Sequence, residues 1–284
     1  MIVNCIEIAD KIIENFKTDL QKIKAKHTKF VPHMVIIKIN DDKASEKYVG
    51  IKVKKCLELG IKVTVIGEGI KTQEELINKI HQLNNDNFVN GYIIQLPLPK
   101  GFDQNDIFEK INVNKDIDGL SSLAISRNIS NSKTFHPKPC TANGIIQIMK
   151  DINYEIEGKN VVIINKSMIV GKPLIGLFLN ERATVTVCHS KTKNLKNITL
   201  QADVVVSAVG KPNFITKDMV NKDAFVIDVG INVVDKKIVG DVSKDVADFV
   251  KYITPVPNGV GKLTVAMIFK NLMDLIKEQL NERV

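Results

Sequence analysis

The stretch VVIINKSMIVGKP, residues 161–173, decides the fold of this chain. Its opening run of branched aliphatic residues reads as a buried strand, and Pro173 suits the first turn of a helix that continues to about Glu181. Strand, short loop and helix in succession form the setting in which backbone N–H groups and a helix dipole hold a pyrophosphate. The loop is not a clean G-x-G-x-x-G. Asn165 and Ser167 occupy the first two glycine positions and only Gly171 remains, so by itself the signal is weak.

Downstream, TVTV (184–187), VVVSAVG (204–210) and AFVIDVG (224–230) repeat the strand signal, and ITPVP (253–257) adds a further short strand or the exit from one. Lys262 to Leu280 reads as an amphipathic closing helix. This spacing predicts a parallel α/β unit of the nucleotide-binding kind. An NAD-specific unit places an acid at the end of its second strand, about 20 residues past the loop, to hold the ribose hydroxyls. Here that strand runs into Cys188, His189, Ser190 and Lys191 with no acid. Ser190, with Lys166 or Lys191, can instead accept a 2′-phosphate, which favours NADP over NAD. His189 as a catalytic base is the alternative, and its place on the cofactor side speaks against it.

Upstream, MVIIKI (34–39), IKVTVIG (61–67) and GYIIQLPLP (91–99) read as strands, the last stopped by two prolines. Helices are predicted from Ala44 to Leu59, ending at Gly60, and from Thr72 to about Leu83, where Glu75 completes capping-box spacing. This β-α-β-α-β run predicts a second parallel sheet covered by helices. SRNISNSKTFHPKP (126–139) is the most loop-like stretch and a natural domain junction. The expected architecture is two α/β domains, the second Rossmann-like, with ligands in a cleft between them, beyond the carboxyl ends of the strands.

Composition narrows the function classes. The 284 residues are 44% hydrophobic and 25% charged, as in an ordinary globular protein. No run of 18 apolar residues spans a bilayer, and the acid-bearing start does not read as a signal peptide. Cys5, Cys56, Cys140 and Cys188 are scattered without a Cys-x-x-Cys pair. That argues against zinc and against a disulfide framework, no other metal motif appears, and the pattern suits a reducing cytoplasm. The net charge is +8, but the lysines are spread and aromatics are only 5%. Nucleic-acid binding is therefore not expected, while phosphate- or carboxylate-bearing ligands are favoured.

Three constellations carry chemistry. Ser45, Tyr48 and Lys52 fall on one helical stripe, presenting a hydroxyl, a phenol and an amine to one space. A lysine held near apolar surface can serve in proton transfer, and the same spacing also describes a solvated face with a lysine stem lying on a ring. Gln95 sits where a parallel strand ends, placed either to hold a catalytic lysine or a heterocycle edge, or to satisfy loop carbonyls. Asp118 in KDIDG (115–119) can accept hydrogen bonds from an amino-heterocycle such as a pterin, or close an Asx-type turn.

Taken together in order, these segments resemble the bifunctional methylenetetrahydrofolate dehydrogenase/methenyltetrahydrofolate cyclohydrolase family. The match comprises S-x-x-Y-x-x-x-K (45–52), Q-L-P-L-P (95–99), K-D-I-D-G (115–119), P-C-T (139–141), S-x-x-V-G-x-P (167–173), C-H-S-K-T (188–192) and A-V-G-K-P (208–212). It continues through I-D-V-G-I-N (227–232), V-G-D-V (239–242), I-T-P-V-P and T-V-A. The resemblance implies oxidation of 5,10-methylenetetrahydrofolate with NADP, then hydrolysis of the methenyl product to 10-formyltetrahydrofolate at the same site. Lys52 becomes the central catalytic group, tuned by Gln95. Tyr48 packs on the folate and orients Lys52, Asp118 holds the pterin, and Ser45, Leu96, Pro257 and Gly259 complete the substrate side. Asn165, Lys166, Ser167, Val170, Gly171, Pro173, His189, Ser190, Lys191, Gly210 and Ile231 make up the cofactor side. The resemblance further implies a cytoplasmic homodimer that supplies one-carbon units for purine biosynthesis. Its folate domain is discontinuous (1–138 with 264–284) around an NADP domain at 139–263.

The chain also departs from the family's pattern. Asn165 replaces a usual glycine and Lys166 a common arginine, which keeps charge and loses the bidentate fork. Asn tolerates positive φ, so the turn can survive, with a side chain able to crowd the pyrophosphate. Asn258, Lys262 and Leu263 interrupt the usual P-G-G-V-G-P-M, and Ala142-Asn143-Gly144 lacks a common proline. Two competing readings follow: a cyclohydrolase-weighted enzyme with impaired hydride transfer, and an oxidoreductase of the shikimate-dehydrogenase type.

Overall fold

A computed structural model describes residues 1–282. In chain order the elements are α1 (Cys5–Lys26), β1 (His33–Ile37), α2 (Lys43–Glu58), β2 (Lys62–Ile66), α3 (Gln73–Asn85) and β3 (Gly91–Ile94). Then come α4 (Gln104–Glu109), α5 (Ser122–Ile129), α6 (Cys140–Asp151), β4 (Asn160–Ile164), α7 (Gly171–Asn180), β5 (Thr184–Cys188) and α8 (Leu195–Leu200). The last are β6 (Val204–Ser207), β7 (Phe225–Asp228), β8 (Asn232–Val234), β9 (Lys237–Val239), β10 (Tyr252–Ile253) and α9 (Val260–Gln279).

Two compact units result. One comprises residues 13–127, 134–138 and 268–284; the other comprises 1–12, 128–133 and 139–267.

In the first unit a parallel sheet has the order β2-β1-β3. Its central strand is sealed on both faces (Met34, Ile36 and Ile37 are fully buried), which is why β1 reads as an unbroken aliphatic run rather than an alternating one. The capping box forms as its spacing predicts. Thr72 Oγ1 accepts from the Glu75 N–H at 3.2 Å and Glu75 Oε2 accepts from the Thr72 N–H at 3.0 Å, fixing the start of α3. Asp42 caps α2 by accepting the Ser45 N–H at 2.6 Å, which sets the rotation of the stripe that follows.

The second unit holds a five-stranded parallel sheet in the order β10-β7-β6-β4-β5. Strands β4, β6 and β7 are buried throughout their apolar residues, and edge strand β5 alternates between exposed and covered positions. The further strand expected in ITPVP is short: β10 is two residues long and pairs with β7.

Helices α1, α4, α5, α6 and α8 and the antiparallel β8–β9 hairpin do not figure in the sequence reading. Residues 126–129, expected to be loop, are the last turn of α5.

Candidate active site

On the first unit, α2 carries Ser45 and Lys52 into buried positions and leaves Tyr48 half-buried. Burial raises the Tyr48 phenol above its ordinary value, so it stays a neutral donor at working pH. Gln95 follows directly on β3, its N–H bound to the Ile37 carbonyl at 2.8 Å, so its side chain starts from a fixed point at the carboxyl end of the sheet. There its Oε1 accepts from Lys52 Nζ at 3.0 Å, while its Nε2 donates to the Leu96 carbonyl at 2.8 Å. Ser45 Oγ donates to the same carbonyl at 3.0 Å.

Asn40 makes this corner rigid. It was not anticipated from the sequence; its amide donates to the carbonyls of Gln95 (3.2 Å) and Pro97 (2.7 Å), tying the loop after β1 to the Q-L-P-L-P loop.

Among the described residues no ion pair involves Lys52. The residue is 8% exposed and its amine is held by a neutral amide. Burying a lysine without a neutralising acid is costly, so the arrangement is better suited to chemistry than to stability.

Asp118 lies at the same end of the sheet. Segment 115–117 runs parallel to β3, with Tyr92 N–H bonded to the Lys115 carbonyl at 2.8 Å and Ile117 N–H to the Tyr92 carbonyl at 3.2 Å. Asp116, beneath it, is 2% exposed and accepts the N–H groups of Gly119 (2.9 Å) and Ser121 (2.7 Å). Burial pushes the Asp116 carboxyl up to about 6. The first acid of the D-I-D-G pair thus shapes the turn that presents the second.

On the other unit, the loop between β4 and α7 behaves differently from its sequence reading. Asn165 is not among the described residues with positive φ. Its amide turns into the loop: Oδ1 accepts from the N–H of Ser167 (2.7 Å) and Gly171 (3.1 Å), and Nδ2 donates to the Ala208 carbonyl (2.5 Å). Two N–H groups expected to face a pyrophosphate are therefore satisfied internally. Gly171 is required by a close approach, since a Cβ there would run into the Asn165 backbone. Val170 precedes the helix as its N-cap, and Pro173 is buried in the first turn.

At the end of β5, His189, Ser190 and Lys191 are exposed, as is Lys166. His189 Nδ1 accepts the Lys191 N–H at 3.2 Å, so the ring is occupied with shaping its own turn, and Ser190 stands free of any carboxylate on that turn. Gly210, at φ +72°, and Ile231 are exposed at the carboxyl ends of β6 and β7. The turn after β5 offers the Ser190 hydroxyl and Lys191 with no acid, and exposed Lys166 follows β4, a set that fits a dinucleotide bearing an extra phosphate. Pro257 and Gly259 lie in the turn before α9. Gly259 packs on the Pro255 carbonyl, and Asn258 takes φ +71°, which Asn accommodates.

Among the described residues no group of three or more His, Cys, Asp and Glu side chains is placed to hold a metal, and no helix is long and apolar enough to cross a membrane.

Residues 3–118 match the family model of the tetrahydrofolate dehydrogenase/cyclohydrolase catalytic domain, and residues 139–280 match that family's NAD(P)-binding domain. The bifunctional protein FolD of Malacoplasma penetrans is 70% identical over 284 residues, covering 100% of both chains. The crystal structure of the bifunctional FolD methylenetetrahydrofolate dehydrogenase/cyclohydrolase of Campylobacter jejuni superimposes with a TM-score of 0.93 at 39% identity, covering 98% of this chain and 99% of that one. The Trypanosoma brucei dehydrogenase-cyclohydrolase, solved with NADP cofactor and inhibitor, gives 0.91 at 31% identity, covering 99% and 98%.

Proposed function

The chain belongs to the tetrahydrofolate dehydrogenase/cyclohydrolase family and is a bifunctional enzyme of folate one-carbon metabolism, and we propose that the Lys52–Gln95 pair is its chemical centre. The enzyme oxidises 5,10-methylenetetrahydrofolate to the 5,10-methenyl cation and hydrolyses that cation to 10-formyltetrahydrofolate. NADP, when bound, accepts the hydride from the methylene carbon. The shikimate-dehydrogenase-type reading and the cyclohydrolase-weighted one gain no support from the relatives.

The buried Lys52, its amine on the Gln95 amide and in no ion pair among the described residues, carries the residue assignment. In the hydrolytic step water adds to the cation's bridging carbon and releases one proton, and one C–N bond then opens as the remaining hydroxyl proton passes to the departing nitrogen and the formyl carbonyl forms. Lys52 assists by guiding water and managing that proton, as positioned acid–base groups do. Gln95 fixes the amine's direction. Tyr48 packs on the folate's aromatic part, the Asp118 carboxylate accepts from the pterin's N–H groups, and Ser45 and Leu96 frame the substrate. Sharing a site is economical because the first product is already positioned for the second reaction.

On the cofactor side, Ser190 with Lys166 and Lys191 receives the 2′-phosphate, supported by the exposure of all three and the missing acid. Asn165, Ser167, Val170, Gly171, Pro173, His189, Gly210 and Ile231 form the remaining wall. The folate domain is 1–138 with 264–284, and the NADP domain is 139–263. The working form is a cytoplasmic homodimer that feeds purine biosynthesis; the exposed Val233, Val234 and Ile238 on the β8–β9 hairpin support self-association.

One experiment tests the reading: NADPH or NADH formation from methylenetetrahydrofolate and methenyl consumption, each with NADP and with NAD. Both activities are expected, with NADP preferred. Absence of either activity, or turnover of shikimate instead, overturns it.

A further inference from the structure

The motifs I-D-V-G-I-N (227–232) and V-G-D-V (239–242) acquire a physical meaning in the second unit. Asp241 is fully buried at the carboxyl ends of β6 and β7, and its carboxylate takes five hydrogen bonds. Oδ2 accepts from Ser207 Oγ (3.1 Å), the Val209 N–H (2.6 Å) and the Gly210 N–H (3.2 Å). Oδ1 accepts from the Lys211 N–H (2.9 Å) and Asn232 Nδ2 (3.2 Å). Three consecutive backbone donors of one loop and the residue next to Ile231 therefore converge on a single side chain.

The opposite side of that loop is held too, because Ala208 gives its carbonyl to Asn165 at 2.5 Å. Asp241 is itself fixed by Asp228, which accepts the N–H groups of Gly230 (3.0 Å), Asp241 (2.9 Å) and Val242 (3.0 Å). The two acids interlock through glycines. A Cβ on Gly230 would strike the Asp241 carboxylate, and one on Gly240 would strike that of Asp228.

We propose that Asp241 is a positioning residue for the dehydrogenase half-reaction, holding loop 207–211 and the Ile231–Asn232 pair in the form that receives the dinucleotide. The inference rests on the assignment of Gly210 and Ile231 to the cofactor side. A loop pinned at three successive N–H groups cannot collapse into the space its ligand needs, so the cofactor binds without first ordering it. Hydrolysis of the methenyl cation consumes no dinucleotide, so it reports separately on the fold.

Asp241→Asn is isosteric, yet whichever way the amide turns, an NH₂ faces at least two donors and the loop is released. The expected result is a KM for NADP raised about tenfold or more, while hydrolysis measured without NADP stays within about threefold of the parent. Ser207→Ala removes a single donor and leaves no N–H orphaned. It folds even where the first variant does not, and is expected to raise the NADP KM about two- to fivefold with hydrolysis unchanged. Parent-like NADP KM in Ser207→Ala, or parallel loss of both activities in a folded Asp241→Asn, overturns the proposal. A parent enzyme forming no NADPH would instead overturn the functional reading beneath it.

Discussion

Replacing Lys52 with methionine tests the centre of the site most directly. Methionine matches the lysine stem in length and fills the same 8%-exposed position on α2, so no cavity opens. The Gln95 amide oxygen loses the donor 3.0 Å away, an unsatisfied acceptor costing about 1–3 kcal/mol. Against that stands removal of a buried lysine that no acid neutralises, whose desolvation costs a comparable amount. The two effects nearly cancel, and the unfolding free energy should move by less than about 2 kcal/mol in either direction. Activity should not be spared in this way. A positioned proton-handling group contributes on the order of 10²–10⁴ in rate, so methenyl hydrolysis should fall by at least about 100-fold. Spectroscopic decay of the methenyl chromophore under saturating substrate gives the rate, and urea unfolding gives the stability. Hydrolysis within about tenfold of the parent, by a variant that unfolds at the parent's midpoint, would refute the assignment of Lys52.

Ser190→Asp places a negative charge where the 2′-phosphate is received, and should raise the NADP KM while leaving that for NAD nearly unchanged; equal effects on both would locate the phosphate elsewhere. Thr72→Ala removes the acceptor for the Glu75 N–H and should lower stability by about 1 kcal/mol without altering either activity, as read from denaturant midpoints. Burial pushes the Asp228 carboxyl up from 3.8 to about 6, so between those values the folded chain binds more protons than the unfolded one and this residue's contribution to stability falls as pH rises. The unfolding free energy of the parent minus that of Asp228→Asn should accordingly decline by about 2 kcal/mol from pH 4 to pH 6.5 and then level off, and a flat difference would contradict the shift.

The sequence by itself determined the two parallel sheets and the candidate residues. Strands sealed on both faces must be continuously aliphatic, so β1, β3, β4, β6 and β7 were legible as runs. The capping box at Thr72 and Glu75 and the Ser45–Tyr48–Lys52 stripe were legible because both depend on spacing along one helix. Helix α1 and the β8–β9 hairpin were not read from local pattern. Only the tertiary structure decided which alternatives those residues realise. Lys52 meets Gln95 across 43 positions, and Asp228 interlocks with Asp241 across 13. Asn165 was expected in a positive-φ turn, but it spends its amide on Ser167, Gly171 and a carbonyl 43 residues away. Hydrogen-bond partners far apart in the chain are chosen by what the fold brings within 3 Å, and a local pattern holds no record of that choice.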